Sequence, residues 1–186
     1  MQKIILALAG EMGCGKGTLT KYLVAKYGVE VYRFSNPLRD ILDRMHREKS
    51  RDAMQQLSTA LRQVFGDDIL SEIMLADIGQ STAPMIIIDG VRRESDIKYL
   101  RNIQGFKLIY IDADISTRYT RVTFRGENSS DTTKTIEEFM RETEAEAESR
   151  IRELKNISHI ILENNGTIEE LEKGFEKLLK EISYSL

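Results

Sequence analysis

The run Ile4-Ile5-Leu6-Ala7-Leu8-Ala9 followed at once by Gly10-Glu11-Met12-Gly13-Cys14-Gly15-Lys16-Gly17-Thr18 constrains this chain more than any other feature. A continuous apolar run opened by β-branched residues suits a strand buried on both faces. The glycines behind it allow positive φ and a close approach of backbone to a ligand. Leu19 and Leu23 then have helical spacing, and Gly28 is a fitting stop. Strand, glycine-rich loop and helix in that order aim backbone N–H groups and a helix N-terminus at one point, which makes an anion site. Lys16 brings a mobile positive charge to it. The loop is expected to cradle phosphate through Gly10, Gly13, Cys14, Gly15, Lys16, Gly17 and Thr18. Because Gly17 follows the lysine and the hydroxyl comes one place later at Thr18, a magnesium ion is expected to rest mostly on phosphate oxygens and water.

Further apolar runs continue the theme: Val29 to Phe34, Met85 to Ile88, Phe106 to Ile111 and Ile157 to Leu162. Helical patterns fill the gaps. Leu38, Ile41, Leu42 and Met45 share a face, as do Leu57, Leu61 and Val64, then Ile69, Leu70, Ile73 and Met74. Ile97, Leu100 and Ile103 follow the third strand, and an acidic helix is expected from Ile136 to about Leu154. Thr167 with Glu169-Glu170 caps a last helix reaching about Ile182. Strands alternating with helices predict an α/β fold with a parallel sheet and right-handed crossovers. The 186 residues contain two prolines and no linker-like stretch, which fits a single domain over 1–186.

Composition removes several classes. A net charge of −3 argues against a general grip on nucleic acid. The longest apolar run falls far short of the roughly 20 residues that span a bilayer, so no membrane association is expected. No signal-peptide pattern precedes the first strand. One cysteine, Cys14, allows neither an internal disulfide nor a Cys metal cluster and suits a reducing compartment. A cytoplasmic protein is expected, either monomer or homodimer.

Outside the loop, charged residues gather in a few places. Asp89 ends the third run, at the carboxyl edge of a parallel sheet where ligands bind. There it is expected to hold Mg²⁺ through water, with Thr18 as the other donor, and to orient Lys16. Arginines sit at Arg39, at Arg92-Arg93 and at Arg118, Arg121 and Arg125, with Arg62 between them in the chain. Arginine is suited to bidentate recognition of phosphate. Arg118, Arg121 and Arg125 fall on one helical face and lead into Gly126 and a polar stretch, the pattern of a closing lid. Arg141 follows that stretch and suits either phosphate or Glu137 or Glu138. His46 and His159, the two histidines, read as structural or surface residues. No His, Ser or Cys nucleophile is required if the acceptor is a phosphate monoester. Its second pKa is about 6, so it is already dianionic at neutral pH.

These residues resemble the nucleoside monophosphate kinase group. The loop Gly-x-x-Gly-x-Gly-Lys-Gly-Thr is similar to that of adenylate kinases, Asp89-Gly90-Val91-Arg92-Arg93 to their Asp-Gly-x-x-Arg, and Phe34-Ser35-Asn36-Pro37-Leu38-Arg39 to their monophosphate-binding turn. Arg121 and Arg125 resemble paired lid arginines, and Asn164-Asn165-Gly166-Thr167 an adenine-facing turn. More narrowly, these segments resemble deoxynucleoside monophosphate kinase-like and dephospho-coenzyme A kinase-like proteins. The resemblance implies a three-layer P-loop NTPase fold whose five-stranded parallel sheet has the order 2-3-1-4-5, with helices on both faces. The core would be 1–34, 81–117 and 136–186, with a monophosphate-binding insertion at about 35–80 and a lid at about 118–135. It also implies ATP as phosphoryl donor with Mg²⁺. ATP would be held by the loop, Arg121 and Asn165, with Lys16, Arg121, Arg125 and Asp89 catalytic. The small phosphorylated acceptor would be held by Ser35, Arg39, Arg62 and Arg93.

The expected activity is transfer of a phosphoryl group to a nucleoside or deoxynucleoside monophosphate. Ser35-Asn36-Pro37 stands where dephospho-coenzyme A kinases carry an aspartate, which counts against that acceptor. A P-loop ATPase or assembly factor without a small acceptor is the alternative of another class, and Arg39 and Arg93 argue against it. Ile97 occupies the place of the adenine-reading glutamine, so AMP is not expected to be singled out.

Overall fold

In the computed structural model, residues 3–126, 131–144 and 146–184 are described. Strands β1 (Ile4–Ala9), β2 (Glu30–Arg33), β3 (Met85–Asp89), β4 (Phe106–Asp112) and β5 (Ile160–Glu163) form one sheet in the order β2-β3-β1-β4-β5. All four pairings are parallel, with Leu8 opposite Asp89 and Ala9 opposite Tyr110. The helices are α1 (Lys16–Tyr27), α2 (Ser35–Arg44), α3 (Arg51–Phe65), α4 (Ile69–Gln80), α5 (Ile115–Arg125), α6 (Ile136–Thr143), α7 (Glu146–Ile157) and α8 (Ile168–Tyr184).

Each strand's period of two divides the apolar runs between two cores. Ile5, Ala7 and Ala9 join Ile86, Ile88, Leu108 and Tyr110 beneath Leu38, Met74, Ile78 and Leu154 of the helices on one face. Leu6 and Leu8 join Ile87, Ile109 and Ile111 beneath Leu19, Leu23 and Phe175 on the other. This two-sided burial explains why the strands read as unbroken apolar runs. The expected sheet order and three layers are present. Among the described residues no helix is long and apolar enough to cross a membrane.

Two expected helices differ. Ile97 and Leu100 lie on short 3₁₀ turns, Glu94–Ile97 and Leu100–Asn102, with Ile103 just past the second, rather than on a full α-helix. Their spacing of three residues is the 3₁₀ period. The acidic helix expected from Ile136 to about Leu154 is instead two helices, α6 and α7. At the break, Thr143 Oγ1 donates back to Met140 O at 2.7 Å, and Arg152 Nη2 donates to the Thr143 carbonyl at 2.8 Å. A side chain thus meets a carbonyl that a continuing helix would have paired. Gly28 stops α1 in a left-handed conformation, and Thr167 and Glu170 form a reciprocal cap on α8, both as expected.

Candidate functional site

The loop between β1 and α1 turns on glycines that no other residue would replace. Gly10 has φ +143°, and a Cβ there would stand 2.4 Å from the Ile111 carbonyl oxygen. Gly15, at φ +107°, would set a Cβ 2.3 Å from Asn164 Nδ2. Lys16 opens α1, and its ammonium lies over the loop, donating to the Gly10 carbonyl and to Glu11 O at 3.1 Å. Cys14 is buried beneath it, with Sγ 3.5 Å from Lys16 Nζ. Thr18 lies in the first turn of α1 and is half-buried.

The turn between β5 and α8 closes the other side. Asn164 is buried and donates from Nδ2 to Cys14 O at 2.8 Å. Arg121 of α5 reaches the same turn, donating to Asn164 O at 2.8 Å and to Gly166 O at 2.9 Å. Asn165, the residue singled out from the sequence, instead accepts the Asp114 N–H at 2.7 Å and so fixes the start of α5. Asn164 is the amide that touches the loop; adjacent identical residues left nothing in the sequence to separate them.

Sequence reasoning also missed Glu11. Its carboxylate is buried and meets Arg118 Nη2 at 3.3 Å and Arg152 Nη2 at 3.1 Å. Arg118 is itself buried, with further bonds to Ala113 O and Met12 O and its guanidinium over the Phe139 ring. The expectation that Arg118, Arg121 and Arg125 form one lid face is therefore corrected for Arg118. An apolar ring and a buried carboxylate fix it in the body of the protein. Residues 127–130 of the expected lid lie outside the described residues. Beyond them Asp131 is buried, Lys134 pairs with Glu142 at 2.7 Å, and Tyr119 Oη donates to Lys134 O at 2.9 Å. This returning part is docked on α5 and α6. Arg125 is the last residue of α5. Arg141 Nε donates to the Glu137 carbonyl at 3.3 Å.

A cavity of about 260 Å³ opens at the end of β3. Ser35, Arg62 and Arg93, grouped from the sequence, all line it, together with Phe34, Leu38 and Gly90. Asp96 organises it: Oδ2 accepts the N–H groups of Arg92 and Arg93 at 2.9 and 3.1 Å, while Oδ1 meets Arg62 Nη2 at 2.6 Å. Burial, with the like charges of Arg62 and Arg150 nearby, lowers the pKa of Arg93 from its ordinary value against the opposing pull of Asp96 and Asp67. Arg51, Arg92 and Arg150 also line the cavity. Arg39 does not; it is exposed on α2 outside the lining. Ile97 is fully buried in the core and presents nothing to a ligand.

Asp89 lies at the edge between the two sites. Its Oδ2 is 3.5 Å from Arg33 Nε. The expected contact with Lys16 is replaced by this pair, because the lysine is held over the loop carbonyls. Among the described residues no group of three or more His, Cys, Asp or Glu side chains could enclose a metal. One hydroxyl at Thr18 and one carboxylate at Asp89 fit Mg²⁺ that arrives with a nucleotide, since this ion keeps most of its ligands from phosphate and water. His159 Nδ1 accepts the Leu108 N–H at 2.9 Å, joining β5 to β4, and burial lowers its pKa; its role is structural.

The comparisons with known proteins agree with this architecture. Residues 9–140 match the family model described as an AAA domain. A UPF0200 protein of Sulfurisphaera tokodaii is 30% identical over 178 residues, covering 96% of this chain and 97% of the relative. A UPF0200 protein of Methanosarcina barkeri is 29% identical, covering 94% of each chain. Among solved structures, a shikimate kinase from Bacteroides thetaiotaomicron superposes with a TM-score of 0.63 at 15% identity, over 97% of this chain and 98% of that one. This likeness shows a P-loop kinase-like fold. By its match to the family model and its end-to-end similarity to these relatives, the chain belongs to the AAA domain family, among the UPF0200 proteins.

Proposed function

We propose that the protein transfers the γ-phosphoryl group of ATP to a small phosphorylated acceptor, foremost a nucleoside or deoxynucleoside monophosphate. The observation that carries this reading is the adjacency of the glycine loop and an arginine-lined cavity. The glycine loop follows β1 and the arginine-lined cavity follows β3, and these strands are hydrogen-bonded neighbours with parallel direction. Neighbouring strands lie about 4.8 Å apart, so donor and acceptor phosphates would meet at one sheet edge. A protein that only hydrolysed ATP would have no use for the second site.

In this reading the loop N–H groups and Lys16 hold the β- and γ-phosphates, and Arg121 and Asn164 border the nucleotide. Residues 35–80 supply the acceptor wall, with Ser35, Arg62 and Arg93 toward the acceptor phosphate, and α5 faces the donor through Arg121. An acceptor phosphate oxygen attacks the γ-phosphorus, the bond to the β–γ bridging oxygen breaks, and ADP leaves. No proton need be removed from a dianionic acceptor. The protein's part is positioning and charge neutralisation. Bound with the nucleotide, Mg²⁺ would supply charge neutralisation at the phosphates, next to Thr18 and Asp89.

The test is a coupled ADP-release screen over ribo- and deoxynucleoside monophosphates with dephospho-coenzyme A. Acceptor-dependent release is expected, with AMP not preferred 100-fold over every other acceptor. Arg93→Ala should raise the acceptor KM well above any effect on the ATP KM, because truncating a desolvated contact to phosphate costs about 2–5 kcal/mol. Release that ignores the acceptor overturns the proposal.

A further inference from the structure

Asp67 and Asp68 make the turn between α3 and α4, and their carboxylates have different surroundings. Asp68 is held on both sides. Its Oδ2 accepts from Tyr99 Oη at 2.9 Å and pairs with Lys98, and its carbonyl accepts the Ser71 N–H at 2.8 Å at the start of α4. The Asp67 side chain is 71% exposed. Its Oδ1 lies 3.7 Å from Arg93 Nη1 and 4.0 Å from Arg62 Nη1, and both of these arginines line the cavity. The Asp67 backbone is fixed, because its carbonyl accepts a hydrogen bond from Arg62 Nη1. An anchored backbone thus carries a loosely held carboxylate to the guanidinium groups of the acceptor wall.

The two arginines are not equally committed. Arg62 is buried and bound to the buried Asp96 at 2.6 Å. Among the described residues the one ion pair of Arg93 is with Asp67. At 3.7 Å that pair lacks a direct hydrogen bond, and at this exposure it contributes little to stability. A carboxylate offers Arg93 one negative charge. A phosphate monoester at neutral pH offers about 1.5 to 2, with three strong acceptor oxygens. An arriving phosphate therefore outcompetes the incumbent.

We propose that Asp67 sets the affinity of the cavity for its acceptor by holding the place of the acceptor phosphate: the carboxylate pairs with Arg93 in the free protein and swings into solvent when the phosphate binds. This rests on reading the cavity as the acceptor site. Binding is then the exchange of one anion for another on the same guanidinium, and no bond is made or broken in it. An acceptor without an anionic group leaves Asp67 where it is and gains nothing from Arg93. Removing the carboxylate strengthens binding, the opposite of what loss of a contact residue does.

The test is calorimetric titration of the full chain, at fixed ionic strength, with the ribo- and deoxynucleoside 5′-monophosphates and the matching nucleosides. Asp67→Asn should bind the monophosphate that the wild type binds best about three- to fivefold more tightly, within the range that an exposed ion pair allows. Asp67→Ser, also uncharged, should repeat the gain. The matching nucleoside should bind both variants no better than the wild type. Asp52→Asn, which removes another exposed carboxylate from α3, should change monophosphate affinity by less than about 1.5-fold. Unchanged or weaker monophosphate binding in the Asp67 variants overturns the proposal. So does an equal gain for the nucleoside or in Asp52→Asn, which would reveal a general effect of charge or packing, and so does the absence of monophosphate binding to every protein. Acceptor-dependent ADP release with affinities indifferent to Asp67 would leave the kinase standing and remove the exchange. A gain confined to the phosphorylated ligands, without ADP release for any of them, would keep the exchange and remove the kinase.

Discussion

Lys16 shows what a single residue does here. It begins α1, and its ammonium reaches back over the carbonyl groups of Gly10 and Glu11. Its bonds are to carbonyl oxygens of a loop shaped by glycines, so Lys16→Ala should leave the fold intact. Turnover should fall by orders of magnitude while the melting temperature moves little; near-normal turnover would sink the phosphate-loop assignment. This residue was legible because lysine and glycines lie next to one another in sequence. Arg93 and Ser35 were legible for the same reason, through short motifs beside strand ends. Glu11, Asp96 and Asn164 were not. Each acts through partners far along the chain, Arg152 for Glu11, Arg62 for Asp96, Cys14 for Asn164. Local spacing carries no trace of such pairs, and a carboxylate or amide in a polar stretch looks like any other.

The elements around the loop are tied by one buried carboxylate. Glu11 joins the loop to α5 through Arg118 and to α7 through Arg152. The two bonds differ in worth because their surroundings differ. The Arg118 and Glu11 side chains are 5% and 8% exposed, whereas the Arg152 side chain is 51% exposed. Removing one partner of a buried pair leaves a charge without compensation and costs about 3–5 kcal/mol, while an exposed pair is worth about 0–1 kcal/mol. Glu11→Ala should therefore destabilise the protein by about 3–5 kcal/mol in urea unfolding, and Arg152→Ala by about 1 kcal/mol. Equal losses would show that Arg152, not Arg118, carries the link. Helices with their own apolar faces and caps, such as α1 and α8, were legible from the sequence. The break between α6 and α7 was not, because the Arg152 side chain that meets the Thr143 carbonyl comes from the next helix.

At the scale of the whole molecule, the sheet order brings together segments that the chain keeps apart. The loop after β1, the turn after β5 and helix α5 meet around the glycine loop through the Asn164–Cys14 and Arg121–Asn164 bonds. A nucleotide held there would touch three elements at once, and these contacts exist only in the folded chain. Any ligand that binds only the native state stabilises it by RT ln(1 + [L]/Kd), about 2.7 kcal/mol at one hundred times Kd. In a chain of this size 1 kcal/mol raises the melting temperature by about 2–4 °C, so saturating Mg-ATP should raise it by about 5–11 °C. Scanning fluorimetry with and without nucleotide reads this directly. The shift should be much smaller for Lys16→Ala, whose free-state melting is expected to be close to that of the wild type, and smaller for Asn164→Ala, which loses the tie between the turn and the loop. A shift below 1 °C at saturating nucleotide would mean that the glycine loop does not bind ATP, whatever the acceptor screen reports. A full shift in Lys16→Ala would mean that the nucleotide binds elsewhere on the molecule.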